Sequence, residues 1–370
     1  MSEKSKVYFT NLRTGFGTNL QKKLERLIKA AGIGSIDMDG KFVAIKMHFG
    51  EPGNLAFLRP NWAKTVADTV YELGGKPYLT DCNTLYVGGR KNALDHLQSA
   101  EENGFSPLST GCQIIIADGL KGSDDEEIEI KGGKELKTAY IGKAIAESDV
   151  FISLAHFKGH ESTGFGGALK NIGMGSGSRR GKMAMHSSSK PMVNSDLCIG
   201  CGICKKICAH DAQVIENGKC RIALAKCVGC GRCLAVCPKD AIEPGSSHSN
   251  EMLNIKMMEY AKAVVQDKPS FYINIAIDIS PNCDCHDEND AAIVPNIGLF
   301  ASFDPVAIDK ASADAVNKAP IIANTMLDEA EHHVADHFDD LHPETDWKQG
   351  LEYASEIGLG SLDYELITIK

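Results

Sequence analysis

The sequence predicts an α/β fold: a strand-and-helix body around a mostly parallel sheet, interrupted by a small α+β insert. Three observations carry this. Short apolar runs rich in β-branched residues alternate with amphipathic helical stretches along most of the chain. Eight of the 13 cysteines are crowded between Cys198 and Cys237 in two matching runs. The strand-helix alternation then resumes beyond them. At 370 residues, 43% hydrophobic and 24% charged, the chain can bury a sizeable core and has room for more than one domain.

Element by element, Lys6–Thr10 and Lys41–His48 read as strands. Asn19–Ala31 reads as a helix with Leu20, Leu24, Leu27, Ile28 and Ala31 on one face. Pro60 opens a helix to Leu73 that Gly74 and Gly75 end. Lys76–Thr80 and Gln113–Ala117 read as strands, with a helix near Arg90–Asn103 between them. Thr138–Glu147 reads as a helix and Val150–Ala155 as a buried strand. After the cysteines, Glu251–Val265 reads as a helix, Ser270–Ile277 and Ile297–Ala301 as strands, and Pro305–Val316 as a helix. The domain expectation is a discontinuous α/β host over 1–190 and 246–370, with an insert over 191–245.

A net charge of −10 argues against a nucleic-acid binder that relies on a broad basic surface. No apolar stretch approaches the roughly 20 residues of a membrane span. The polar start from Met1 to Lys6 has no secretory h-region, so a cytoplasmic protein is expected. In that compartment, clustered thiols suggest metal or redox chemistry rather than disulfides.

The two runs are Cys198-x2-Cys201-x2-Cys204-x3-Cys208 and Cys227-x2-Cys230-x2-Cys233-x3-Cys237, the second followed by Pro238. A cubane cluster needs four thiolates. In the bacterial two-cluster pattern the fourth Cys of each run serves the other cluster. That pairing assigns Cys198, Cys201, Cys204 and Cys237 to one [4Fe-4S] cluster, and Cys227, Cys230, Cys233 and Cys208 to a second. The segment from about Pro191 to Gly245 resembles a bacterial-type two-cluster ferredoxin. It departs from the pattern at Ala209, where the second run has Pro238, without losing a ligand. Structural zinc is the competing reading of CxxC pairs. Cys220 fits neither run and reads as a small buried residue.

In the host, four segments place polar residues just after strands, where α/β folds build sites. They are Lys46–Glu51, Asp81–Thr84, His156–His160 running on to Lys170 and Asn171, and Asn282–His286. Each His has a plain alternative as a hydrogen-bonded structural residue. The glycines before Lys170 permit close backbone approach to a ligand, or simply a tight turn. Cys283-x-Cys285-His286 offers soft ligands or a redox-active thiol pair. Asp304 before Pro305 reads as a helix N-cap. Asp328–Asp346 carries eight acidic residues and His332, His333, His337 and His342, and reads as a solvated acidic helix.

The stretches KMHFGEPGN, LTDCNTLYVGGR, HFKGHESTGFGGALKNIGMG, NCDCH and FASFDPVAIDKAS, in this order, resemble the Fe–S center proteins of domain-of-unknown-function family 362. The likeness covers nearly the whole chain and implies an Fe–S protein without naming a reaction. His160, Lys170 and His186 also resemble, more distantly, a His–Lys–His run of nickel-pincer lactate racemases. There the Lys holds the cofactor, the later His ligates nickel and the earlier His moves a proton. Leu169 and the inserted cysteine unit depart from that run.

The functional expectation is an iron–sulfur redox protein of anaerobic or low-potential metabolism. Its clusters exchange electrons with a host site built from His156, His160, Lys170, His186, Cys283 and Cys285. A redox partner protein and a small-molecule substrate are expected, with further metal in the host possible. Three alternatives stay open: an electron-carrier or docking subunit without its own turnover, a metal- or nickel-pincer-type enzyme with accessory clusters, and clusters that only brace the fold.

Overall fold

The structure is a computed structural model that describes residues 4–370 except 86–87, 187–189, 209, 228–231, 245–249, 288 and 332–335. Its centre is one eight-stranded sheet. In chain order the strands are β1 (Ser5–Thr10), β2 (Phe42–Lys46), β3 (Lys76–Asp81), β4 (Gln113–Ile116), β5 (Val150–His156), β6 (Ser270–Ala276), β7 (Gly298–Ser302) and β8 (Tyr364–Thr368). Their spatial order is β8-β1-β7-β6-β5-β2-β3-β4. Strands β6, β5, β2, β3 and β4 are parallel, each to the next. The antiparallel member is β7, which opposes both β6 and β1. A parallel return needs a crossover of a dozen or more residues, usually a helix. The link from β6 to β7 contains no helix among its described residues, and β7 comes back antiparallel.

Side chains on these strands alternate between two cores, as a period of two requires. Val43 and Ile45 on β2, and Val150, Ile152 and Leu154 on β5, face one side. There they meet α1 (Leu20–Ala30), α2 (Pro60–Glu72) and α3 (Ala93–Glu102). Ala44 and Phe151 face the other side. That core is built with α4 (Ala168–Ser176), α5 (Arg179–His186), α6 (Asn250–Val265), α7 (Pro305–Asn317) and α8 (Trp347–Glu356). The result is an α/β fold with helices on both faces. The expected cap is present: Asp304 accepts from Val306 and Ala307 N–H ahead of Pro305. Asn19, read as the first helical residue, is itself the cap of α1 and accepts from Lys22 N–H.

Several expectations need correction. Thr138–Glu147 is not a helix: Thr138–Gly142 is a strand paired antiparallel with Asp125–Glu129, and only Lys143–Ala146 is helical. Ala139 and Ile141 alternate inward, and a side chain on Gly142 would strike Cys82 Sγ and Ala117. The strand expected over Lys41–His48 runs from Phe42 and stops at Lys46, and the helix near Arg90 begins at Ala93. The acidic segment is not a solvated helix. His337 and His342 are buried, with Nε2 against the carbonyls of Ala319 (3.0 Å) and Pro281 (2.8 Å). His332 and His333 lie outside the described residues.

The cysteine-rich stretch leaves the sheet after α5. Pro191–Val193 pairs antiparallel with Ile242–Pro244, so the chain departs and returns side by side. Between them lie a hairpin, Gln213–Glu216 with Lys219–Ile222, and the short helices Ile203–Ile207 and Arg232–Ala235. This stretch has its own apolar cluster, completed by Leu85 and Met183 of the body. A Lys91–Asp240 ion pair joins the same two parts. No helix among the described residues is long and apolar enough to cross a membrane.

Candidate functional site

From β2 the chain winds through β3 to β4 in one direction, and from β5 to β6 in the other. The adjacent pair β2 and β5 is therefore the switch point, where open α/β sheets form a crevice beyond their strand ends. A cavity of about 330 Å³ lies there. Its walls include Lys46 from the end of β2, Asp81 from β3, His156 from β5, Lys170 from α4, His186 from α5, and Cys285 after β6.

The thiols sit on the β5–β6 side. The Lys170 ammonium donates to Cys283 Sγ at 2.7 Å, and Lys158 Nζ lies 3.7 Å from the same sulfur. The Cys285 N–H also points at it, at 3.4 Å. Burial pushes the Cys283 thiol up. A side-chain hydrogen bond from the Cys285 thiol and the charges of Lys158, Lys170 and His160 outweigh burial and hold it well below the usual thiol range. Cys285 is pushed the other way, first by that shared hydrogen bond and then by burial. Burial opposes the charge on Lys170, but the neighbouring thiols prevail and raise it. The surroundings thus favour the charged forms of Lys170 and Cys283 and the neutral form of Cys285.

His160 Nδ1 accepts from Ser162 N–H (3.0 Å), which leaves the ring proton on Nε2. Glu161 lies 3.7 Å from that Nε2 and 3.1 Å from His286 Nε2. Burial lowers His160, and it lowers His186 to about 3 with help from His160, Lys170 and Lys182. One ligand atom each from His160, Cys283 and Cys285 falls within 4.8 Å of the others, and the same holds for Glu161, Cys285 and His286. Either trio has the softness and the spacing to hold a borderline metal ion.

The six residues singled out from sequence therefore come together, though not in equal roles. His156 lines the cavity, but both ring nitrogens are engaged: Nδ1 with Asp284 (2.9 and 3.0 Å) and Nε2 with the Ile277 carbonyl (2.7 Å). It fastens the Cys283–Cys285 loop to the end of β5. Burial raises Asp284, yet His156 and Lys158 hold it down at about 2. Cys283 lies behind the wall, 1% exposed, reached through Lys170 and Lys158.

The glycines before Lys170 have a structural use. Asp309, fully buried, accepts from Ala168 N–H (2.7 Å) and Leu169 N–H (2.9 Å), capping α4 from 140 residues away in sequence. A Cβ on Gly167 would collide with that carboxylate, and one on Gly166 would come within 2.9 Å of Lys158 Nζ. Sequence reasoning did not single out Arg90, Glu161 or Lys182, which also line the cavity. Glu161 simply follows His160 in the chain, whereas Arg90 and Lys182 come from distant segments that the fold brings in.

In the cysteine-rich stretch, a second, small cavity is lined by Cys198, Cys201, Cys204 and Cys237, the crossed set. Backbone N–H groups point at its sulfurs: Cys220 N to Cys198 Sγ at 3.2 Å and Ala241 N to Cys237 Sγ at 3.3 Å. Ala212 N makes the equivalent contact to Cys208 Sγ at 3.4 Å, four residues on, as in the second run. Convergent cysteines with amide donors are the surroundings a thiolate-bound cluster requires. Cys220 is buried, 3.6 Å from Cys204 Sγ. Cys230 and Ala209 lie outside the described residues.

Residues 43–314, most of the chain, match the family described as domain of unknown function (DUF362). The chain belongs to the DUF362 family. Among solved structures, this DUF362 protein is similar to the lactate racemase apoprotein from Thermoanaerobacterium thermosaccharolyticum, at 15% identity and a TM-score of 0.35, covering 74% of this chain and 51% of that one. It is also similar to a structural-genomics protein from Thermotoga maritima, at 10% identity and a TM-score of 0.37, covering 80% and 57%. The DUF362 chain thus spans about half the length of the structures it matches. No curated protein matches it.

Proposed function

We propose that this DUF362 protein is an iron–sulfur redox protein. In this reading residues 191–245 form a two-cluster ferredoxin-like unit inserted into an α/β host of residues 1–190 and 246–370. When bound, two [4Fe-4S] clusters supply one-electron transfer to or from the host cavity. The observation that carries the reading is the lining of the small cavity by Cys198, Cys201, Cys204 and Cys237. Three come from the first run and one from the second, the crossing expected of two clusters in one unit.

The chain's own residues divide the remaining work. Cys198, Cys201, Cys204 and Cys237 hold one cluster, and Cys208, Cys227, Cys230 and Cys233 the other. Leu85 belongs both to the host cavity wall and to the apolar cluster of the cysteine-rich unit, so the two sites share a side chain. In the host, Lys170 and Lys158 hold Cys283 as a thiolate, and His160 presents an Nε2 proton beside it. Asp284 and His156 fix the loop that carries both thiols. A small-molecule substrate in the cavity and a protein redox partner for the clusters belong to the proposal.

Crossed ligation predicts that Cys201→Ser and Cys237→Ser damage the same cluster, each leaving about four of about eight irons and one unperturbed paramagnetic signal. If the two variants lose different signals, the pairing is wrong.

A second reading is favoured by the His160, Cys283 and Cys285 trio within 4.8 Å. Here the host is a metal- or nickel-pincer-type enzyme with accessory clusters, and Lys170, His186 and His160 line the cofactor cavity. Stoichiometric nickel or zinc beyond the cluster iron, lost in Cys285→Ser, would favour it.

A further inference from the structure

The β2–β3 end of the host cavity, away from the thiols in strand order, carries donors that have no partner among the described residues. Arg90 is 1% exposed. Its Nε binds Glu51 at 2.6 Å and its Nη1 lies 3.8 Å from Asp81, while its Nη2 is buried without a partner among the described residues. His48 Nδ1 accepts from Gly50 N–H (3.0 Å), which puts the ring proton on Nε2, and Nε2 is likewise buried and unpartnered. The Thr84 hydroxyl is a third such group. All three residues line the cavity. A buried, unpaired donor costs roughly 1–3 kcal/mol, more when charged, so three at one wall mark a place built for an acceptor.

Lys46, Arg90, Lys158, Lys170 and Lys182 line the cavity together with Asp81, Glu161 and Asp284, and behind the wall Glu51 pairs with Arg90 and Cys283 with Lys170, so the anion site is marked by its unpartnered donors and not by an excess of positive charge. The apolar part of the wall is Leu85, Ala155, Met174, Leu253 and Met257, from the β3 end, β5, α4 and α6. A cavity of about 330 Å³ is at the small end of ligand pockets.

We propose that the cavity binds an organic anion, with its carboxylate or phosphate group held by Arg90 Nη2, His48 Nε2 and Thr84 Oγ1 and its apolar body against Met174, Leu253 and Met257. Burial and the nearby Arg90 charge keep His48 well below its ordinary pKa, so it serves as a neutral donor rather than a second cation. The strand order β6-β5-β2-β3 sets this anion site at the opposite end of the same cavity from the Cys283–Lys170–His160 group, so a bound molecule points from one toward the other. The proposal rests on reading this cavity as the host's working site, and not on the clusters.

The test is calorimetric titration of the whole, anaerobically prepared protein with benzoate, phenyl phosphate, benzyl alcohol and benzylammonium. One anion per chain should bind, with the neutral and cationic analogues about tenfold weaker or worse, the worth of one or two hydrogen bonds to a charged group. Preference for benzoate identifies a carboxylate ligand, and preference for phenyl phosphate a phosphate. Arg90→Gln leaves Glu51 unpaired and risks the fold, so the diagnostic variants are His48→Leu and Met257→Trp. The first should weaken the anion about tenfold and leave benzyl alcohol unchanged; the second should block both by filling the apolar end. Equal affinity for all four probes, no anion binding, or an unchanged anion affinity in His48→Leu overturns the proposal. Iron and sulfide assays on the same sample separate the two ideas. Cluster-free protein that binds benzoate contradicts only the iron–sulfur reading; cluster-loaded protein that binds no anion contradicts only this one.

Discussion

Replacing Asp309 tests how the fold holds Lys170 in place. The carboxylate is fully buried and accepts from Ala168 N–H at 2.7 Å, Leu169 N–H at 2.9 Å and Asn274 Nδ2 at 2.7 Å. Burial nonetheless raises its pKa from 3.8 to about 6, because three dipolar donors replace water incompletely. A raised folded pKa means that the folded protein holds an extra proton between about pH 4 and pH 6. The group's contribution to stability is therefore complete below pH 4 and is lost as pH rises through 6. At about 1.4 kcal/mol per unit, the swing is roughly 3 kcal/mol. Asp309→Asn keeps an acceptor for α4 and removes the titration. The difference in urea-unfolding free energy between wild type and Asp309→Asn should therefore move by about 3 kcal/mol in favour of wild type on going from pH 7 to pH 4. Asp309→Ala removes the acceptor from three buried donors and should cost about 3 kcal/mol or more at any pH. Parallel pH profiles for wild type and Asp309→Asn would refute the reasoning.

Two further outcomes follow from contacts described above. Replacing residues 191–245 with a short Gly/Ser linker should leave a soluble, cooperatively melting host whose midpoint is roughly 5–10 °C lower, because Leu85 and Met183 lose their cover; an unfolded product would show that the cysteine-rich unit is part of the host core. Cobalt(II) added anaerobically should give thiolate-to-metal charge-transfer absorption that Cys285→Ser abolishes without changing cluster iron, and a band that survives in Cys285→Ser would exclude the His160–Cys283–Cys285 trio as its source.

The α/β layers were legible because β2, β5 and β6 carry continuous apolar runs, α1 and α7 carry side-chain caps and α2 opens on Pro60. Thr138–Gly142 was misread because Lys-Ala-Ile-Ala-Glu, immediately after it, has high helix propensity, while its partner Asp125–Glu129 is acidic and has no strand signature. Antiparallel β7 depends on a link without a helix, which a pattern of separate strands does not reveal. In the site, His160, Lys170 and Cys285 stood out as reactive types at strand ends. The anion wall did not: Arg90 follows β3 in a loop closed by Thr84 N–H on its own carbonyl at 2.9 Å, and its meeting with His48 depends on β2 and β3 being neighbours. Asp309 lies inside the helix that Pro305 opens, and its role as the cap of a different helix spans 141 positions.

The central claim is that eight cysteines in two crossed sets make this DUF362 protein an iron–sulfur protein. Iron, acid-labile sulfide and zinc measured on anaerobically purified protein, with electron paramagnetic resonance after reduction, address it directly. The account predicts about eight iron and about eight sulfide per chain and signals from two reducible clusters. Stoichiometric zinc with no sulfide would contradict it.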